Sequence, residues 1–395
     1  MPHISRHIDD LPPLDASATA HMQRVLDSLA ELIESRGGFI GFDDYMAHVL
    51  YEPGLGYYSA GAAKLGAGGD FVTAPLISSL FSQTLAQFVG KHLQAAGGNI
   101  LELGAGSGVM AADILQTLAD ARQLPGEYQI LELSADLRQR QQATLEDKVP
   151  ELVERVRWLD TLDAEEGFQG IILGNEVVDA LPTRRFTIQA GHIMELGVGL
   201  RQGRLIWQLA AFDEVFHARV KSCLPVAVEH YPSGYRSEIN TGLNGWMQSL
   251  AAYLRRGFMV LTDYGHDRAA YYRLQRSDGT LRGYHRHHAI DDPFFRPGLT
   301  DITAWVDFTA LAEAASGYGF VVSGYTTQAA FLMDHGLLDI GQERQVENER
   351  ERWKMAQEIK QLMLPGEMGE TVKAILLAKS HEFDSGLTQD LRYNL

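Results

Sequence analysis

Only one cysteine, Cys223, occurs in the 395 residues. The chain can therefore form no intramolecular disulfide and no thiolate-rich zinc site, and a reducing compartment is expected. Basic side chains are also scarce. The 34 Lys and Arg face 51 Asp and Glu, a formal net charge of −17. A nonspecific nucleic-acid binder needs the opposite balance to neutralise phosphates, so protein or small-molecule partners are favoured over nucleic acid. Long apolar runs are missing: stretches such as Ala374–Ala378 fall far short of the roughly 18 residues of a membrane span. At the N-terminus, Met1–Asp10 shows no basic region leading into an apolar one, and Asp9 and Asp10 argue against a transit peptide. A soluble, cytoplasmic protein is the expectation. There is no internal repeat and no low-complexity segment.

Apolar residues make up 45% and charged residues 22%, the balance of a globular enzyme. The most informative stretch is Asn99-Ile-Leu-Glu-Leu-Gly-Ala-Gly-Ser-Gly-Val109. Ile100, Leu101 and Leu103 give the short apolar run of a strand covered on both faces. Gly104, Gly106 and Gly108 then permit a tight turn and close approach to a ligand, with Ala105 inside that loop. A dinucleotide fingerprint needs its third Gly or Ala one position later, where Val109 stands, so NAD and FAD are disfavoured. Glu102 completes E-x-G-x-G-x-G, a pattern similar to the first motif of class I S-adenosylmethionine (SAM) methyltransferases. That likeness implies SAM as cofactor and an acid near its cationic end.

Along the chain, helical spacing is expected over Ala18–Ser35, capped by Asp15 or Ser17 and closed by Gly37-Gly38, then over Phe42–Leu50 and from about Pro75 to Ala95. A glycine-rich loop from Gly66 precedes Pro75. Strands and helices then alternate: Asn99–Leu103, a helix over Gly108–Ala121, Tyr128–Leu133, a helix over Leu137–Lys148, Val156–Asp160 and Gly170–Asn175. This is the rhythm of a parallel α/β sheet. Turn signals at Ala190-Gly191 and Gln202-Gly203 mark β-hairpins, placing an antiparallel insertion near 185–240. Arg256–Tyr264 returns to the parallel pattern. Residues 265–300 are poor in apolar side chains and read as a lid-like loop. A helix over Asp307–Ser316, strands over Gly319–Tyr325 and Thr371–Ser380, a helix over Gln328–Asp334, a charged helical stretch over 338–364 and a disordered tail over 381–395 follow.

Ligands in such sheets bind beyond the carboxyl ends of the strands. Glu132, 28 residues after Gly104, has the spacing of an acid that accepts from ribose hydroxyls, with Leu133 beside it. Asp160 ends the third strand, where adenine would lie. The fourth strand ends in Asn175-Glu-Val-Val-Asp-Ala-Leu-Pro182. Its Glu176 and Asp179 put two acids at the mouth of the cofactor site, where they can orient a guanidinium acceptor and raise its nucleophilicity. The alternative is that both cap a following helix and bind neighbouring backbone amides. His285, His287 and His288 lack a nearby cysteine or well-spaced acid, so no metal site is assigned.

Taken together, Gly69-Asp-Phe-Val-Thr-Ala-Pro75, Glu102–Gly108, Asn175–Pro182, Asp263-Tyr-Gly265, Gly279–Tyr284 and Pro297–Thr303 resemble the MidA-like family of SAM-dependent methyltransferases. Leu76 departs from the acid usual after that proline, and Val177-Val178 from the usual aromatic pair. The resemblance implies an α/β fold: a Rossmann-like class I methyltransferase core with a seven-stranded, mostly parallel sheet of order 3-2-1-4-5-7-6. It implies a helical and loop cover over residues 1–95 on a core of residues 96–380. It adds Thr73 to the cofactor-binding set of Glu102, Gly104, Ala105, Gly106, Gly108, Glu132, Leu133, Asp160 and Asn175, and leaves Glu176 and Asp179 as the catalytic pair. The expected activity is methyl transfer to a protein, on arginine, with a role in assembly of a respiratory complex. A non-catalytic scaffold with a SAM-binding fold and a small-molecule methyltransferase are the alternatives. The target and the oligomeric state, a homodimer included, stay open.

Overall fold

The computed structural model describes residues 11–60, 72–344 and 348–395. The expectations for residues 1–10 and for most of the loop from Gly66 lie outside the described residues. Helix α1 (Ala16–Ser35) starts where the Asp15 carboxylate accepts from the Ala18 N–H at 2.8 Å, and it buries Val25, Leu29 and Ile33. Helix α2 (Phe42–Tyr51) buries Phe42, Tyr45, Met46 and Val49. These side chains pack with Val198, Leu281 and Ile302 into a core separate from that of the main sheet. The single helix expected from Pro75 to Ala95 is two, α3 (Ala74–Ile77) and α4 (Ser79–Ala96). Between them Ser78 is extended, its hydroxyl accepting from Leu80 N–H and donating to Glu358 at 2.8 Å. A serine cap thus restarts the helix on a new axis.

The sheet builds from β1 (Asn99–Leu103), α5 (Val109–Asp120), β2 (Tyr128–Leu131), α6 (Ala135–Lys148), β3 (Val156–Leu159) and β4 (Phe168–Asn175), with parallel pairing throughout. Ile100, Ile171 and Leu173 fill the core on one face, and Leu101, Leu103 and Ile172 the core on the other. That two-sided burial is why these strands are continuous apolar runs. No helix follows β4. The chain turns through Glu176–Leu181 into β5 (Arg184–Gln189), β6 (His192–Arg201) and β7 (Arg204–Leu209). Both hairpin turns fall where Ala190-Gly191 and Gln202-Gly203 take positive φ, 48° and 77°, then 54° and 72°. Helix α7 (Glu214–Cys223) and β8 (Tyr235–Ile239) complete a four-stranded antiparallel sheet, β7-β6-β5-β8. Helix α8 (Leu243–Tyr253), not expected from the sequence, buries Leu243, Met247 and Leu250 and feeds β9 (Leu254–His266).

Residues 265–300 are not an open lid-like loop. They fold into α9 (Arg268–Tyr271), β10 (Arg282–His285) and β11 (His288–Ile290), and β12 (Asp301–Thr303) joins them in a three-stranded sheet, β11-β10-β12. The strands are too short to show a pattern, and Arg286 and His287 hold the hairpin turn at φ 50° and 62° without a glycine. Strand β13 (Val306–Asp307) adds to β9. Then come α10 (Phe308–Gly317), β14 (Val321–Thr327), α11 (Gln328–Asp334), α12 (Leu337–Glu343), α13 (Glu349–Met363), α14 (Met368–Thr371) and β15 (Val372–Lys379). Strand β15 runs antiparallel between β14 and β9, so the sheet reads β14-β15-β9-β4-β1-β2-β3. Counted along the core from β3, that is the order 3-2-1-4-5-7-6.

Residues 381–395, expected to be disordered, lie against this sheet. The Phe383 ring stacks on Phe258 at 4.2 Å, the Thr388 hydroxyl donates to Asp334 at 2.6 Å, and Leu391 N–H donates to Tyr325 O at 2.7 Å. Polar composition hid the tail, because its partners are aromatic faces and backbone groups of the sheet edge.

Candidate active site

The glycine loop leaves β1 with Gly104 at φ 61° and Gly106 at φ 54°, backbone that favours glycine. A Cβ on Gly104 would meet Val177 Cγ1 at 3.3 Å, so the loop touches the acidic turn after β4 directly. Gly108, at φ 81°, serves the packing of the helices instead. A Cβ there would reach Gln141 Cα at 2.9 Å, so this glycine lets α5 and α6 close. The α5 N-terminus has no side-chain cap, leaving backbone N–H groups and the positive end of the helix dipole for an anionic group.

The expected cofactor residues fall in different places. Ala105 is buried within the loop. Glu102 is 1% exposed and supports the loop from beneath, its Oε2 accepting from the Tyr128 hydroxyl at 2.6 Å. Burial, partly offset by that bond, pushes Glu102 up to about 7. Glu132 is buried too, its two oxygens accepting from Ser134 N–H at 2.9 Å and from Gln141 Nε2 at 3.0 Å. Leu133 next to it is 74% exposed, an apolar surface that a bound ring can cover. Asp160 stands apart: its side chain is 85% exposed and ion-paired with Arg138 at 2.7 Å.

The turn after β4 gathers the chemistry. Asn175 Oδ1 accepts from the Thr262 hydroxyl at 2.8 Å while its Nδ2 donates to Glu176 Oε1 at 3.4 Å. The same Glu176 oxygen accepts from Ala74 N–H at 3.4 Å, which sets Thr73 and the start of α3 beside the acid. Glu176 itself sits at φ 52°, a conformation a non-glycine residue holds only when its surroundings impose it. Asp263, at the carboxyl end of β9, imposes it. Its Oδ2 accepts from the backbone N–H of Val177, Val178 and Asp179 at 3.1, 2.8 and 3.2 Å, and its Oδ1 from Tyr264 N–H at 2.8 Å. No helix follows Glu176 and Asp179 for them to cap, although Glu176 reaches the first N–H of α3; the acid that organises the turn's own amides is Asp263.

Electrostatics follow from this packing. Burial, then the neighbouring Asp263, push Glu176 up to about 8. Asp179 is raised well above the usual carboxylate range by burial and then by Asp263, Glu176 and Asp301. Burial pushes Asp263 up to about 7 against the pull of its four N–H donors. Those donors stabilise the anion, so Asp263 carries the charge and Asp179 keeps the proton. Among the described residues no Lys, Arg or His forms an ion pair with Glu176, Asp179 or Asp263. The histidines expected to bind no metal are engaged elsewhere: His285 Nδ1 donates to Leu299 O at 2.6 Å and its Nε2 accepts from Arg296 at 2.9 Å. Among the described residues no group of His, Cys, Asp and Glu is arranged to hold a metal ion.

Residues 80–326 match the family described as "Putative S-adenosyl-L-methionine-dependent methyltransferase". The chain belongs to this family. A crystal structure from Burkholderia thailandensis bound to S-adenosyl-homocysteine is 38% identical with a TM-score of 0.92, covering 98% of this chain and 100% of that one. The mitochondrial protein arginine methyltransferase NDUFAF7 of Danio rerio is 29% identical over 350 residues, 81% of this chain and 78% of that protein. Its Homo sapiens counterpart is 27% identical over 391 residues, 89% and 83% of the two chains.

The family's S-adenosyl-L-methionine dependence agrees with what the site offers: a glycine loop at positive φ packed against the acidic turn, an uncapped helix N-terminus and a buried acid after β2. Sequence reasoning gave no role to Thr262, Asp263 or Asp301, although the strand-end rule applied to β9 points to the first two. Nor did Tyr51, Tyr58, Tyr264 and Tyr284 have a role assigned, although the last two stand in the segments Asp263–Gly265 and Gly279–Tyr284 that carry the family resemblance.

Proposed function

We propose that this chain is a SAM-dependent protein methyltransferase acting on arginine, with Glu176 and Asp179 holding the guanidinium. The observation that carries the reading is the presence of two acids on one strained turn, in contact with the glycine loop and with no cationic partner among the described residues. Buried carboxyls of this kind either keep a proton or take a bound cation, and a guanidinium acceptor is the cation that would ionise them. The names of the mitochondrial relatives support arginine as that cation.

When bound, S-adenosyl-L-methionine supplies an electrophilic methyl group. Glu176 and Asp179 accept from the guanidinium N–H groups and hold one nitrogen in line. As the N–CH3 bond forms, the S–CH3 bond would break with its electron pair left on sulfur, giving S-adenosyl-homocysteine, and an ionised carboxylate of the pair would take the proton that the nitrogen gives up. The experiment is incubation of the purified protein with a protein lysate and methyl-labelled SAM, followed by complete hydrolysis. Label in methylarginine is expected. Label only in small molecules would support the small-molecule alternative, and no transfer despite SAM binding would support the scaffold.

A further inference from the structure

The acids of the acceptor turn are surrounded by tyrosines drawn from every layer of the fold. Tyr51 and Tyr58 come from the N-terminal cover, with ring centroids 5.5 Å apart and planes 23° apart. Tyr51 donates to Ala180 O at 2.8 Å, one residue after Asp179, and Tyr58 donates to Asp301 Oδ1 at 2.9 Å. Both hydroxyls are thereby committed to holding the cover on the acidic turn. Tyr264 and Tyr284 differ. Tyr264 follows Asp263 at the end of β9, two positions beyond Thr262, the register partner of Asn175. Tyr284 lies on β10 directly opposite Asp301 of β12, so the two side chains share a face of the small sheet. Two residues past β12's end at Thr303 the chain reaches Trp305, and between them Ala304 N–H donates to Asp179 O at 2.9 Å. The small sheet is thus fastened to the turn it covers.

Both rings are half-buried, Tyr264 lying roughly parallel to Trp305 on one side with centroids 6.4 Å and planes 26° apart. Their titration agrees with this position. Burial and then Glu176 raise Tyr264 well above its ordinary value. Burial, followed by Asp179 and Glu176, pushes Tyr284 up to about 12. Neither hydroxyl donates to Glu176, Asp179 or Asp301, so what these two residues offer the acids is the ring and not a hydrogen bond.

We propose that Tyr264 and Tyr284 are acceptor-selecting residues, aromatic walls between which a flat, delocalised cation stacks while its edge N–H groups reach Glu176 and Asp179. Both a guanidinium and an ammonium are attracted to a ring face. Only the planar group can lie against the rings and keep two N–H groups on the carboxylates. The site therefore selects guanidinium over primary ammonium by shape, where charge alone would accept either. This rests on the assignment of the acidic turn as the acceptor site.

The test uses full-length protein saturated with S-adenosyl-homocysteine and titrated with N-ethylguanidinium or n-butylammonium, with binding followed by NMR saturation transfer. The wild-type protein is expected to prefer N-ethylguanidinium by about five-fold or more, the size of one aromatic stacking contact. Tyr284→Leu and Tyr264→Leu should bring the ratio towards one, and Tyr284→Phe should keep it. Equal affinity for the two cations in the wild type, which needs no variant, overturns the proposal. So does a leucine variant that keeps the preference, or one whose affinity for S-adenosyl-homocysteine falls in parallel. A protein that prefers N-ethylguanidinium but labels no arginine in lysate would refute the protein-arginine reading and leave the two aromatic walls standing. Transfer to arginine without the preference would refute the walls alone.

Discussion

Asp263 holds Asp179 through the backbone: its Oδ2 accepts the Asp179 N–H at 3.2 Å, together with the N–H groups of Val177 and Val178. One carboxylate thus shapes the turn that presents two others. Asp263→Asn keeps the size of the side chain but removes the charge from four hydrogen bonds, that from Tyr264 N–H included. A loss of about 1.5–3 kcal/mol in chemical unfolding is expected, as for a hydrogen bond to a charged group. Methyl transfer should fall further than this loss of folded protein explains, because Glu176 and Asp179 are displaced.

The pH dependence of stability tests Glu176. Its ordinary value is 4.5 and the folded protein raises it to about 8, so the native state binds this proton more tightly than the unfolded chain. Such a group favours folding below the unfolded value and costs stability as pH climbs from about 4.5 to about 8. The difference in melting temperature between Glu176→Gln and wild type should therefore shift in favour of the variant across this window. A constant difference from pH 5 to pH 9 would show that the carboxyl is not displaced upward.

Two glycines of one loop should fail in different ways. Gly104→Ala, exposed on the ligand side and against Val177, should abolish binding of S-adenosyl-homocysteine in titration calorimetry at modest cost in stability. Gly108→Ala drives a Cβ into the Gln141 backbone. It should lower stability by about 1–3 kcal/mol, the range of an overpacked contact.

The two strand-end acids should separate as well. Glu132→Ala removes a buried acceptor set between Ser134 N–H and Gln141, and affinity for S-adenosyl-homocysteine should drop about ten-fold or more, the worth of one charge-assisted bond. Asp160→Ala, exposed and paired only with Arg138 in the described ion pairs, should leave it within about two-fold.

Much of the fold was legible because the parallel strands are short, mostly apolar segments bounded by turn residues, and the turns at Ala190-Gly191 and Gln202-Gly203 each carry a dipeptide suited to positive φ. What escaped had its cause elsewhere in space. Ser78 breaks the helix that Pro75 opens, and its partner Glu358 is 280 residues away. The tail from His381 is ordered by Phe258 and Tyr325, not by its own composition. In the site, Glu176 and Asp179 stood out as acids at a strand end. Asp263 did not, because its role is to accept amide N–H groups from a turn 84 to 86 residues earlier. Tyr264 and Tyr284 read as ordinary aromatic residues until the small sheet brings one of them over Asp301.

The central claim is that Glu176 and Asp179 hold the methyl acceptor and neither build the fold nor bind the cofactor. On the same preparations of wild type, Glu176→Gln and Asp179→Asn, S-adenosyl-homocysteine affinity and the rate of methyl transfer to lysate arginine are the deciding pair. Affinity within a few-fold of wild type and transfer lowered by roughly 10- to 150-fold are expected, the equivalent of one charge-assisted contact of about 1.5–3 kcal/mol. Full transfer by either folded variant, or a loss of cofactor affinity that matches the loss of rate, would contradict it.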